Sequence, residues 1–210
     1  MLTDLEYLNN INEQLKKMEE IVDGMAVQVR EVLINKRSGM KQQIYELSKN
    51  TQIKEEEVVE TCVESLIRYQ PLASDLRAVT VAMKVSYDLS RVSRYLYNIV
   101  EMQNEFNLRE CDIGEIISLY DEGIEMVRRS MKAYFARDVK AAAEICSDDD
   151  SIDHRYRQIL EEYKSLGVFS GECILFNGMS ARTIERMADH ACYISHEIMY
   201  LVTGRRSYFR

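Results

Sequence analysis

The chain has 210 residues, 46% of them hydrophobic and 30% charged, with one proline, eight glycines and a formal net charge of −8. That length supports one or two domains with a real core, and the scarcity of helix breakers predicts an all-α fold. An acidic chain without a long basic patch does not attract nucleic acid, and no run of about eighteen apolar residues offers a membrane span.

Residues 1–6 are acidic where a secretory signal would be apolar, so a soluble, cytoplasmic protein is expected. Five cysteines, odd in number and without a C-x-x-C, argue against a disulfide framework or zinc knuckle and suit a reducing compartment. Residues 205–210 are basic and aromatic and read as a solvated end.

In chain order, Thr3 with Glu6 reads as a capping box for a first helix. Apolar residues then recur by sevens, as Leu8, Leu15, Val22, Val29 and as Ile11, Met18, Met25, Val32, which calls for a long bundle helix. Lys36 and Arg37 suit its C-terminal end, and Gly39 the turn. A second helix spans about 40–69, with a kink expected at Ser48–Thr51, where residues prone to local hydrogen bonding crowd together. Pro71 suits the first turn of a third helix. The pattern lapses over 104–111, and Asp112 with Glu115 reads as the next N-cap. The fourth helix covers about 113–135. Asp138 caps a fifth reaching 166, and Ser170 a sixth that stops at Gly204. The methionines at helical spacing, such as Met18, Met25, Met126, Met131 and Met187, read as core filling.

Three helices, a boundary and three more helices suggest duplication, with halves at 1–108 and 109–210. Residues 88–99 align with 183–194 at an offset of 95, setting Leu89 on Ile184 and Arg91 on Arg186. Glu185 and Asp189, four residues apart, share one helix face, as do Asp149 and Asp153 on the preceding helix. Four carboxylates on neighbouring antiparallel helices form either a metal site of hard oxygen ligands or a solvated charge network with Arg182 and Arg186.

The stretches Gln70-Pro71-Leu72-Ala73-Ser74-Asp75-Leu76-Arg77 and Glu185-Arg186-Met187-Ala188-Asp189, with the ending Tyr200-Leu201-Val202-Thr203-Gly204, resemble the PhoU family of phosphate-uptake regulators. The resemblance covers nearly the whole chain. It implies two tandem three-helix bundles in a cytoplasmic, homodimer-forming adaptor that links a phosphate transporter ATPase or a sensor kinase to regulation. It also implies an iron, zinc or other divalent ion at E/D-x-x-x-D pairs, so Asp149, Asp153, Glu185 and Asp189 become its ligands in the second repeat. In the first repeat Asn50, Lys54, Ser90 and Arg94 stand where carboxylates are expected, and cations there repel a divalent ion. Gln70, Pro71, Asp75 and Arg77 are read as structural.

Alternatives from other classes are a carboxylate-bridged di-iron metalloprotein and a helical scaffold regulating a different transporter. The first lacks Glu-x-x-His, since Ser151, Met187 and Tyr193 precede the histidines by three. His196-Glu197 does not extend to H-E-x-x-H, because Tyr200 closes it. No P-loop, dinucleotide fingerprint or nucleophile elbow appears, so catalysis is not expected. His154 and His190 each follow a paired aspartate, point about 100° away from it, and read as packing or surface residues.

Overall fold

The computed structural model describes residues 6–35, 39–165 and 171–206. They form six helices: α1 (Glu6–Asn35), α2 (Lys41–Tyr69), α3 (Ala73–Glu105), α4 (Gly114–Ala136), α5 (Val139–Ser165) and α6 (Gly171–Thr203). No strand occurs among the described residues. Helices α1–α3 make one bundle and α4–α6 a second, and the bundles meet mainly through α3 and α6, with α1 also touching α4. One continuous hydrophobic cluster runs through both.

The heptad seam places Ile11, Leu15, Met18, Val22, Met25, Val29 and Val32 of α1 in that core. Helices α3 and α6 are covered on more than one side, and their buried faces are correspondingly broad. Small residues allow this, among them Ser86, Ser90 and Ser93 on α3 and Ala181, Ala188, Ala191 and Ser195 on α6. Three of the buried hydroxyls are satisfied locally, with Ser86 donating to Met83 O, Ser93 to Ser90 O and Ser195 to Ala191 O, whereas the buried Ser180 Oγ on α6 has no partner. A tighter approach occurs where Gly123 of α4 faces α6. A Cβ there would lie 2.9 Å from Ile184 Cγ2.

Helix ends follow local chemistry. Asp138 Oδ1 accepts from the Ala141 N–H at 3.0 Å, and Asp112 Oδ1 from the Gly114 N–H at 2.9 Å. Gly204 takes φ 69° and closes α6 with its N–H on Tyr200 O. The expectations at Thr3, Lys36, Arg37 and Ser170 lie outside the described residues.

Three expectations are corrected. Helix α2 runs unbroken through Ser48–Thr51: Thr51 Oγ1 donates to Leu47 O, while Ser48 Oγ meets Ser93 Oγ of α3 at 3.4 Å. The hydroxyls that compete with a helix in isolation here have partners compatible with one. Pro71 precedes α3 instead of opening it. Left-handed Gln70 (φ 45°) ends α2, and α3 starts at Ala73. The cysteines also include a pair. Cys111, in the α3–α4 connection, is disulfide-bonded to Cys173 in the first turn of α6, 62 residues on. Composition hid this bridge, because only the fold brings the two sites together.

Candidate metal centre on the second bundle

Helices α5 and α6 are antiparallel neighbours, and their polar residues face each other in register. Along α5 stand Cys146, Asp149 and Asp153; along α6, in the opposite direction, stand Cys192, Asp189 and Glu185. Asp149 feels Asp189 as its strongest charged neighbour, and Glu185 and Asp189 both feel Asp153. Asp149 and Glu185 each feel both Asp153 and Asp189, so the four sequence-identified carboxylates form one run of like charge along the seam.

Their environments differ. Glu185 is buried, one oxygen paired with Arg182, while Oε2 is buried without a hydrogen-bond partner. Asp149 is half-buried, and its Oδ1 likewise lacks a partner. Asp153 pairs with Arg157 at 3.0 Å, and the adjacent Asp148 with Arg129 at 2.5 Å. Burial first, then repulsion from Asp189 and Asp153, pushes Glu185 up to about 7 and Asp149 up to about 6. Asp189 is raised for the same reasons. Two partnerless buried carboxylate oxygens amid like charge can be relieved by taking up protons, as the raised values express, or by a bound cation.

Sequence reasoning missed a second convergence one turn further along. The Sγ atoms of Cys146 and Cys192 stand 2.8 Å apart, and Cys192 Sγ is 3.8 Å from His196 Nε2. Among the described residues, this trio is the group whose ligand atoms all lie within 4.8 Å of one another. The Cys192 hydrogen bond holds the Cys146 thiol below its usual range, and the same bond, with burial, raises Cys192. The available signal was Cys192-x-x-x-His196, an i,i+4 pair on one face.

The other histidines do different work. His154 is exposed. His190 is buried, its Nδ1 2.8 Å from Asp88 Oδ1 on α3, so the pair links the two bundles. Tyr87, Tyr95 and Tyr193 surround the imidazole.

In the first bundle the matching region is cationic. Arg91 and Arg94 lie over the rings of Tyr95 and Tyr97, Lys54 pairs with Glu57 at 2.7 Å, Ser90 is buried and Asn50 exposed. Of the 70–77 motif, Arg77 reaches across to the other bundle, its Nε–H donating to Leu201 O at 3.4 Å near the end of α6.

These features define a double three-helix-bundle protein with an acidic, cysteine-bearing face on its second bundle. Residues 15–102 and 116–198 each match the PhoU domain, so the chain belongs to the PhoU family. A phosphate-specific transport system accessory protein PhoU homolog of Pseudomonas putida is 29% identical over 207 residues, covering 94% of this chain and 79% of that protein. The phosphate-specific transport system accessory protein PhoU of Escherichia coli K12 is 27% identical over 205 residues, covering 94% and 84%. The crystal structure of PhoU from Pseudomonas aeruginosa superposes with a TM-score of 0.85 at 25% identity, covering 95% of this chain and 99% of that one. The phosphate transport system regulatory protein PhoU from Streptococcus pneumoniae superposes with a TM-score of 0.92 at 21% identity over 99% and 100%, a likeness of fold. The family consists of regulatory accessory proteins, not enzymes. No described helix is long and apolar enough to cross a membrane.

Proposed function

We propose that the chain is a cytoplasmic accessory regulator of phosphate uptake and phosphate-responsive signalling, acting by docking on partner proteins and tuned by a metal ion on its second bundle. Its membership of the PhoU family and the names of its relatives support the transport role. The partners would be a transporter ATPase, a sensor kinase or both, and the working form a homodimer. The observation that carries the metal dependence is the pair of buried carboxylate oxygens, Asp149 Oδ1 and Glu185 Oε2, left without partners on facing helices. Asp149, Asp153, Glu185 and Asp189 would hold a hard divalent ion or iron. Such an ion would supply positive charge that ties α5 to α6. The cationic side chains Lys54 and Arg94 restrict that role to the second bundle.

Metal analysis of the purified protein beside a Glu185→Ala/Asp189→Ala variant tests the metal. Stoichiometric iron, manganese or magnesium in the wild type, lost in the variant, supports the site; no metal after reconstitution sinks it. The regulatory role is tested separately, by phosphate uptake in a deletion strain and by co-purification of a transporter ATPase or sensor kinase. Unchanged uptake would overturn it.

A further inference from the structure

We propose that Cys146, Cys192 and His196 form a second metal site, a thiolate–imidazole site for a borderline-soft divalent cation of the zinc class, distinct in chemistry from the carboxylate site. The three ligand atoms come from two helices and meet at one point of the α5–α6 seam, with Cys192 buried and the other two half-buried. That combination gives preformed ligands and a route for an ion. Cys146 and Cys192 carry free thiols, so no disulfide occupies the position.

The ligand atoms lie within 4.8 Å of one another, the scale of a zinc coordination sphere. Around tetrahedral zinc, with Zn–S about 2.3 Å and Zn–N about 2.05 Å, two sulfurs stand roughly 3.8 Å apart and a sulfur and nitrogen about 3.6 Å. Cys192 Sγ and His196 Nε2 are already at 3.8 Å. The sulfurs, at 2.8 Å, must part by about 1 Å, which requires a turn of the half-buried Cys146 away from the Cys192 carbonyl that its thiol meets at 3.6 Å. Two sulfurs and an imidazole select zinc over magnesium or calcium, which prefer oxygen. The fourth position falls to water, as in sites where three protein ligands leave one place open. The proposal does not rest on the carboxylate site, because the trio converges without it.

The test uses the full chain, purified anaerobically and stripped with EDTA, titrated with Co2+ and then Zn2+. The expected result is a thiolate-to-cobalt charge-transfer band saturating at one equivalent and bleached by zinc. The band is lost in Cys146→Ser/Cys192→Ser and kept in Glu185→Gln/Asp189→Asn, which separates this site from the carboxylate one. His196→Asn, retaining both thiols, lowers zinc affinity roughly ten-fold or more against a chromophoric competitor. Should the double-serine variant fail to fold, the His196→Asn measurement decides, and unchanged affinity there overturns the site. So do absence of the band in the wild type, its survival in the double-serine variant, or recovery of Cys146 and Cys192 as a disulfide-linked peptide pair.

Discussion

Neutralising Glu185 should stabilise the metal-free protein, and most at neutral or alkaline pH. Its carboxyl is pushed from 4.5 to about 7, chiefly by burial and then by Asp189 and Asp153. The folded state thus holds a proton that the unfolded chain has already released. Stability falls as pH rises from the unfolded value through the folded one, and the full penalty is present above about 7. At 1.36 kcal/mol per pH unit the shift corresponds to on the order of 3 kcal/mol. The glutamine also gives up its charge attraction to Arg182, and the neighbouring carboxylates remain partly solvated, so about 1–2 kcal/mol is expected from Glu185→Gln at pH 8. For a chain of this size that is roughly 3–6 °C in Tm. The assay is thermal unfolding in EDTA at pH 5 and pH 8. A gain at pH 8 that shrinks several-fold at pH 5 supports the electrostatic account. An equal shift at both pH values refutes it by showing that the effect does not depend on ionisation, and a loss at pH 8 refutes it by showing that the carboxylate is stabilised by partners in the fold.

Three further outcomes follow from the packing. Asp88→Ala leaves the buried His190 imidazole without its partner and should cost about 1–3 kcal/mol in urea unfolding, with Asp88→Asn costing less because its amide oxygen still accepts. Gly123→Ala places a methyl 2.9 Å from Ile184 Cγ2. Overpacking of about 1–3 kcal/mol should outweigh the roughly 1 kcal/mol gained in helix propensity, lowering Tm, and a raised Tm would mean that α4 and α6 can separate freely. Replacing both Cys111 and Cys173 by serine opens a closure spanning 62 residues, with an expected loss of about 4 kcal/mol on the chain-entropy view, read as a fall in urea midpoint that reductant reproduces in the wild type.

What was legible in the sequence was whatever is decided within a few residues. The α1 seam declares itself through a seven-residue repeat, and Asp138 and Gly204 mark helix ends through hydrogen bonds to their own neighbourhood. The kink expected at Ser48–Thr51 failed because a propensity argument cannot see Ser93 across the bundle. The Cys111–Cys173 bridge and the Asp88–His190 link span 62 and 102 positions and have no local trace.

The α5–α6 face lies between these cases. Spacing alone puts Asp149 with Asp153 on one helix face and Glu185 with Asp189 on another, but it leaves open which residue meets which. That depends on the register of two antiparallel helices, and one tertiary contact fixes it. Once Cys146 meets Cys192, a step of seven residues along α5 reaches Asp153, and seven residues back along α6 reach Glu185, each about 10.5 Å away at 1.5 Å per residue. Equal steps in opposite directions pair Asp149 with Asp189 on the way, the strongest charged neighbour that Asp149 has. The thiols at one end and the carboxylates at the other are therefore consequences of a single register. A shift of α5 by one turn would separate the thiols and the carboxylates together, so ions bound at the two proposed sites would be coupled mechanically through that one register.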